Sequence, residues 1–122
     1  MVASSYAEYY GGGISVTPSD PALCVVTFVV WGDEAPLQGA IVRAKLLEPY
    51  SITSEWQAGR YMSAATTNSG GVATLQLIRS GEFEVGGTYM IEIYDPDGVK
   101  ISSYKARVPN EATINASELI RG

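Results

Sequence analysis

Two stretches in the middle of the chain decide its fold: residues 36–47 read PLQGAIVRAKLL, and residues 66–77 read TTNSGGVATLQL. In the first, apolar residues alternate with Arg43 and Lys45, and a period of two is typical of a strand with one face in the core. The second alternates in the same way after a glycine-rich turn, which predicts a β-hairpin because glycine adopts positive φ without steric cost. The side chains predicted to point into the core are Val42, Ala44, Leu46, Ala73, Leu75 and Leu77.

The rest of the chain also indicates strands. Residues 23–31, LCVVTFVVW, are apolar on both faces, which is typical of a central strand covered by the core on one side and by a partner or a loop on the other. Residues 88–94 and 99–108 flank the turn DPDG and predict a second hairpin. Shorter strands are expected at residues 14–17 and 63–67.

About seven short strands with no helix predict an all-β fold, a small antiparallel β-sandwich of the immunoglobulin-like or prealbumin-like kind. The sandwich domain is expected to span residues 14–110. Residues 111–122 follow as a C-terminal tail that forms either a last strand or one helical turn capped by Asn115 or Ser117.

Two segments rich in aromatic residues lie outside the predicted strands. Residues 1–13, MVASSYAEYYGGG, form a flexible, extended N-terminal arm that is either a disordered terminus or an arm docked on a neighbouring subunit. Residues 49–62 form a longer loop whose aromatic side chains either fold back on the core or contact a partner. The candidate interface residues are Tyr6, Tyr9 and Tyr10 in the arm and Tyr50, Trp56, Arg60 and Tyr61 in the loop.

Composition argues against several kinds of partner. The chain has 122 residues, of which 46% are hydrophobic, and this suits one domain with a packed core. Its net charge is −5 and its eight Lys and Arg residues are scattered singly along the sequence, so no nucleic-acid partner is expected. No apolar run approaches the ~20 residues that cross a bilayer, so no membrane partner is expected. The N-terminus has neither the basic nor the apolar region of a secretory signal.

No residue pattern predicts catalysis, a metal or a cofactor. The chain has no histidine, so its single cysteine, Cys24, has no such base to activate it, and the usual zinc ligands are missing. Asp33 and Glu34 follow one strand, and Asp95 and Asp97 follow another. These four form a weak calcium site if their loops share one end of the sandwich, or are simply good turn residues. We therefore expect a non-enzymatic protein without a cofactor.

Three motifs resemble those of the carboxypeptidase regulatory-like, or transthyretin-like (prealbumin-like), β-sandwich domains. They are the Pro-Leu-x-Gly-Ala-x-Val turn and strand at residues 36–42, the Thr-(Asp/Asn)-x-x-Gly turn at 67–72 and the Tyr-x-Ile/Val strand at 87–93, which follows a short glycine-containing loop. The similarity covers roughly residues 22–108. The chain departs from the pattern in that a second glycine, Gly71, follows the turn and the loop at residues 49–62 is long.

The resemblance implies a function. Such domains are common as binding or spacer modules in bacterial surface proteins and in virion proteins of tailed phages. The resemblance therefore implies a non-enzymatic structural subunit of a tailed-phage virion, namely a capsid decoration, neck or tail/fibre-attachment protein. Such a subunit is located in the virion and assembled in the host cytoplasm. The implied partners are other virion proteins and further copies of the chain in a homo-oligomer.

The alternative function is a carbohydrate- or ligand-binding β-sandwich module of a surface or fibre protein. In that case Trp56 and Tyr61 would stack on a sugar ring, and Asp95 and Asp97 would bind hydroxyl groups or calcium.

Overall fold

The computed structural model describes residues 21–47 and 61–121, and within them the chain forms eight strands in two sheets. The predicted all-β sandwich is confirmed. The arm and the strand expected at residues 14–17 lie outside the described residues. The strands are β1 Leu23–Val29, β2 Ile41–Leu46, β3 Met62–Thr66, β4 Val72–Ile78, β5 Thr88–Tyr94, β6 Lys100–Arg107, β7 Thr113–Asn115 and β8 Ile120–Arg121.

One sheet has three strands in the order β4-β1-β7, and the other has five in the order β3-β2-β5-β6-β8. Between them lies one hydrophobic core, which takes alternate side chains from both sheets. All six side chains predicted to point inward are buried. The largest fully buried side chains are Tyr89, Phe28, Leu75, Leu77, Ile91, Val26 and Val42.

β1 is the central strand of the three-stranded sheet, as its apolar sequence predicts. β4 runs antiparallel to it, whereas β7 runs parallel, with Val26 opposite Ile114. Every other neighbouring pair of strands is antiparallel, as predicted. β7 runs parallel to β1 because β6 ends at the end of the sandwich where β1 begins. The chain therefore enters β7 from that end and runs in the direction of β1.

The glycine-rich turn before β4 joins the two sheets, and the predicted hairpin at this turn is wrong. β3 pairs with β2, whereas β4 pairs with β1. The Asn68 side chain accepts a hydrogen bond from the Val72 N–H at 3.1 Å and so closes the turn. Gly71 has a φ of +75°, and a Cβ there would stand 2.5 Å from the Val30 carbonyl oxygen. Glycine is required here because the chain passes against the end of β1.

The hairpin predicted around the turn DPDG is confirmed. β5 and β6 pair antiparallel from Thr88 opposite Arg107 to Tyr94 opposite Lys100. The register shifts between Ile93 and Tyr94, where β6 contains one extra residue. Such a bulge adds local twist to a pair of strands.

The C-terminal segment contributes to both sheets. Both structures expected for it occur in succession: strand β7, a 3₁₀ turn at Ala116–Glu118 and strand β8, which pairs with β6. The Glu118 carboxylate accepts a hydrogen bond from the Asn115 N–H at 2.9 Å, which starts the turn. Ile114 and Leu119 are buried, so the segment is held to the core on both sides of the turn.

Candidate binding faces

Six of the seven interface residues predicted from the sequence lie outside the described residues: Tyr6, Tyr9, Tyr10, Tyr50, Trp56 and Arg60. The seventh, Tyr61, is half-buried against the core just before β3. Its hydroxyl donates a hydrogen bond to the Gln76 carbonyl oxygen at 2.5 Å, and its ring meets the Tyr89 ring edge-on with centroids 6.3 Å apart. Tyr61 thus matches the interpretation in which loop aromatics fold back on the core. Its role in an interface stays a prediction.

Two tyrosine hydroxyls occupy the outer edge of β4. Among the described strands β4 pairs only with β1, and the backbone groups of Gln76 and Ile78 point away from that partner. Tyr61 donates to the first carbonyl, and Tyr89 donates to the second at 2.9 Å. Open edges invite pairing with other chains, so the bound carbonyls make this edge a poor template for a foreign strand.

The outer face of the three-stranded sheet is uncharged and partly apolar; we call it the apolar face. Cys24, Val26 and Phe28 point inward, so the alternate residues of β1 point outward. Leu23 is 42% exposed, Val29 is 58% exposed, and Trp31, which continues the alternation, is 61% exposed. The neighbouring outward residues, Val72, Thr74, Gln76, Thr113 and Asn115, carry no charge either. The sequence predicted that this side of β1 is covered by a partner or a loop.

The outer face of the five-stranded sheet is basic; we call it the basic face. Among the residues that the structure describes, it holds five of the seven Lys and Arg residues and one of the nine acidic residues. Its net charge is therefore +4, whereas the whole chain carries −5. The cations are dispersed along the sequence, and the sheet order brings them together. The charged residues of the face are Arg43, Lys45, Glu92, Lys100, Lys105 and Arg107.

Glu92 lies at the centre of this face and is only 5% exposed. Its Oε1 is 2.9 Å from Arg43 Nη2 and its Oε2 is 3.1 Å from Lys100 Nζ. Burial raises the pKa of Glu92, but the hydrogen bonds from Lys100 and Arg43 outweigh it, and the pKa lies below its ordinary value. Arg43 Nη2 also donates to the Tyr94 hydroxyl at 2.8 Å, and its guanidinium stands 5.0 Å from the centre of that ring.

The sequence did not single out Glu92. The alternation around it places Glu92 on the outer face, where a carboxylate is expected to be solvated. It is buried because Arg43 and Lys100 reach over it from the two neighbouring strands. The only signal was that β2 and β6 each carry cations at alternate positions, Arg43 and Lys45 in β2 and Lys105 and Arg107 in β6. Using that signal requires the strand order.

The three other cations of the basic face make at most one long ion pair with the residues that the structure describes. Lys45 Nζ is 3.9 Å from Glu92, the limit of an ion pair. Lys105 forms no ion pair with any residue that the structure describes. Arg107 donates to the Gly86 carbonyl oxygen at 2.9 Å. Beside Lys45 opens a cavity of about 280 Å³, lined among the described residues by Arg43, Lys45, Leu46 and Met62.

The β1–β2 loop, the β3–β4 turn and the β5–β6 turn lie at the end of the sandwich where β2 begins, and we call this the acidic end. It carries Asp33, Glu34, Asp95 and Asp97, so the condition set for a weak calcium site, that the two acidic loops share one end, is met. Asp95 Oδ1 accepts hydrogen bonds from the backbone N–H groups of Asp97 and Val99 at 2.9 Å each, as good turn chemistry requires. Within residues 21–47 and 61–121, no group of three or more metal-binding side chains converges.

The single cysteine, Cys24, is poorly placed for nucleophilic chemistry. Cys24 is fully buried, and burial raises the pKa of its thiol, which opposes formation of the reactive thiolate.

In the part of the chain that the structure describes, no helix is long and apolar enough to cross a membrane. No protein-family model matches the chain. No curated protein is similar to it either.

Proposed function

We propose that this β-sandwich is a non-enzymatic structural subunit that assembles through protein–protein interfaces. In the proposed assembly, the N-terminal arm of one copy covers the apolar face of the next. The observation that carries the proposal is the uncharged outer face of the three-stranded sheet, with Leu23, Val29 and Trp31 exposed along one strand.

Burial of this face favours association. Apolar surface removed from water contributes about 25 cal/mol per Å². Trp31 is the kind of large aromatic side chain that dominates interface energetics. Because the apolar face carries no charge, the net charge of −5 on each copy is kept away from the contact.

The arm matches the face in chemistry. Residues 1–13 carry three tyrosines and one acidic residue, and tyrosine supplies contact area at low cost in conformational entropy. The blocked edge of β4 supports contact through the face rather than through strand pairing. We place the arm on a neighbouring copy, which makes the chain a homo-oligomer.

The setting of the assembly follows from the resemblance to transthyretin-like domains. We propose that the chain belongs to the virion of a tailed phage, as a capsid decoration, neck or tail/fibre-attachment subunit assembled in the host cytoplasm. Its further partners would then be other virion proteins.

The test compares two exposed valines. Val29 on the apolar face is 58% exposed, and Val99 in the β5–β6 turn is 59% exposed. We expect Val29→Lys to weaken self-association at least about tenfold, because a buried, unpaired charge is costly at an interface. Val99→Lys adds the same charge outside the contact and leaves association unchanged. Sedimentation at several protein concentrations measures both.

Equal association of the two variants would contradict the proposed interface. Circular dichroism and thermal melting show whether each variant retains the fold. If Val29→Lys unfolds the chain, Val29→Thr, which removes apolar surface without adding charge, replaces it with the same expected direction.

A further inference from the structure

We infer that the basic face binds the acidic end of a second copy of this chain. The contact is separate from the arm and the apolar face. It rests on the proposed function, because it adds a second interface to the same assembly of identical subunits.

The charge of the molecule is strongly asymmetric. Among the described residues, the basic face carries +4, and the rest carries −6 from two cations and eight carboxylates. A long polyanion laid across the face would extend beyond it into this negative field. A compact acidic patch would meet only the cations, since charges separated by more than about 8 Å are screened at physiological salt. The acidic end of another copy is such a patch.

The cations outside the two close ion pairs of Glu92 lie near one another on the face. Lys45 and Lys105 flank Met90 in one row across β2, β5 and β6, and Arg107 lies two residues beyond Lys105. Neighbouring strands are about 4.8 Å apart, so the two lysines start roughly 10 Å from each other. A carboxylate that enters the cavity beside Lys45 meets Lys45 and Arg43 on its walls.

The acidic end offers exposed carboxylates from two neighbouring loops. Asp33 and Glu34 are exposed in the β1–β2 loop, and Asp97 is exposed at the tip of the β5–β6 turn. The two loops pack together, because a Cβ added at Gly39 would touch the Pro96 ring at 3.5 Å. Asp95 is engaged in its own turn, which leaves the carboxylates of Asp33, Glu34 and Asp97 to face Lys45, Lys105 and Arg107 of another copy.

One chain cannot satisfy both groups by itself. Lys45, Lys105 and Arg107 lie toward the end of the strands that is far from the acidic loops. Lys45 is four residues along β2 from Ile41, about 13 Å from the acidic end. The contact therefore joins different copies through two unlike surfaces, and such heterologous contacts generate rings or filaments.

The experiment reverses each charged group separately in the full chain. One variant carries Lys45→Glu and Lys105→Glu, and the other carries Glu34→Lys and Asp97→Lys. At about 50 mM salt we expect each variant alone to associate at least tenfold more weakly than the wild type, because like charges then face each other. We expect an equimolar mixture to regain association, because each reversed face then meets an unlike end. At about 500 mM salt the differences should disappear.

Three results would overturn the inference: wild-type chain with no salt-dependent association, a variant that associates like the wild type, or a mixture no stronger than its components. If a reversed chain does not fold, as judged by circular dichroism, Lys45→Gln with Lys105→Gln tests the same face. Failure here is distinguishable from failure of the proposed function. Association that resists salt and depends on residues 1–13 would leave the arm-mediated assembly standing while the charge contact falls.

Discussion

Gly71 shows how one residue fixes the path between the two sheets. Its positive φ is uncommon for other residues, and a side chain would collide with the Val30 carbonyl oxygen, which belongs to the backbone and has little freedom to yield. The sequence pattern predicted the glycine-rich turn, but it predicted that the turn closes a β-hairpin. The close approach between the turn and β1 is a tertiary contact, and a local pattern does not contain it.

We predict that Gly71→Ala lowers the free energy of unfolding by about 2–4 kcal/mol, because both the backbone conformation and the space oppose a side chain. Urea denaturation measures the loss. Gly81→Ala is the control, since a Cβ there meets no atom within 4 Å. Its effect should stay within about 0.5 kcal/mol, and an equal loss in both variants would contradict the role given to Gly71.

Glu92 is the second such residue, and its pKa predicts how the stability of the folded chain depends on pH. Its pKa is lower in the folded state than the ordinary value of 4.5, so the folded chain binds this proton less readily than the unfolded chain does. The stabilisation from the charged carboxylate is therefore fully present above about pH 5. It is lost as the pH falls through the lower folded pKa.

We predict that Glu92→Gln lowers the free energy of unfolding by about 1–3 kcal/mol at pH 7, because charged hydrogen bonds to Arg43 and Lys100 are lost. The variant should also lose less stability than the wild type between pH 5 and pH 3. Denaturant unfolding across this pH range measures both effects. Glu84→Gln in an exposed loop is the control, and a wild-type pH profile in Glu92→Gln would refute the role of the buried carboxylate.

At the scale of elements, the strands were predictable and their partners were not. Period-two alternation predicted β2, β4 and β5 closely, because it follows from the backbone geometry of a half-buried strand. The assignment of β3 and β4 to different sheets depends on the turn at Gly71. The short β7 and β8 depend on contacts with β1 and β6, which local propensity does not include.

The hydroxyl of Tyr89 is the element-scale link between the five-stranded sheet and the edge of β4. It is fully buried, and burial raises the pKa of Tyr89 well above its ordinary value, so the hydroxyl remains a donor throughout the usual pH range. We predict that Tyr89→Phe lowers the free energy of unfolding by about 1–2 kcal/mol, because the Ile78 carbonyl loses its buried donor. Tyr61→Phe should cost less, because Tyr61 is only half-buried. Chemical denaturation of the two variants in parallel measures the difference, and the reverse order would contradict it.

At the scale of the whole molecule, the sequence predicted that β1 is apolar on both sides, with its outer side covered by a partner or a loop, and missed the basic face. The first needs only the composition of one strand, whose two sides are both apolar. The basic face needs the order β2-β5-β6, because β2, which carries Arg43, is far in sequence from the hairpin that carries Glu92 and Lys100. Six of the seven candidate interface residues lie outside the described residues, so their role in an interface stays a prediction for experiment.

The most direct test of the central claim is the mass of the chain in solution, measured by light scattering behind a sizing column, with and without residues 1–13. Salt of about 0.5 M screens the charge contact and leaves the apolar contact in place. We predict a homo-oligomer for the full chain and a folded monomer for the truncated chain. A monomer in both forms, or the same oligomer in both, would contradict assembly through the arm.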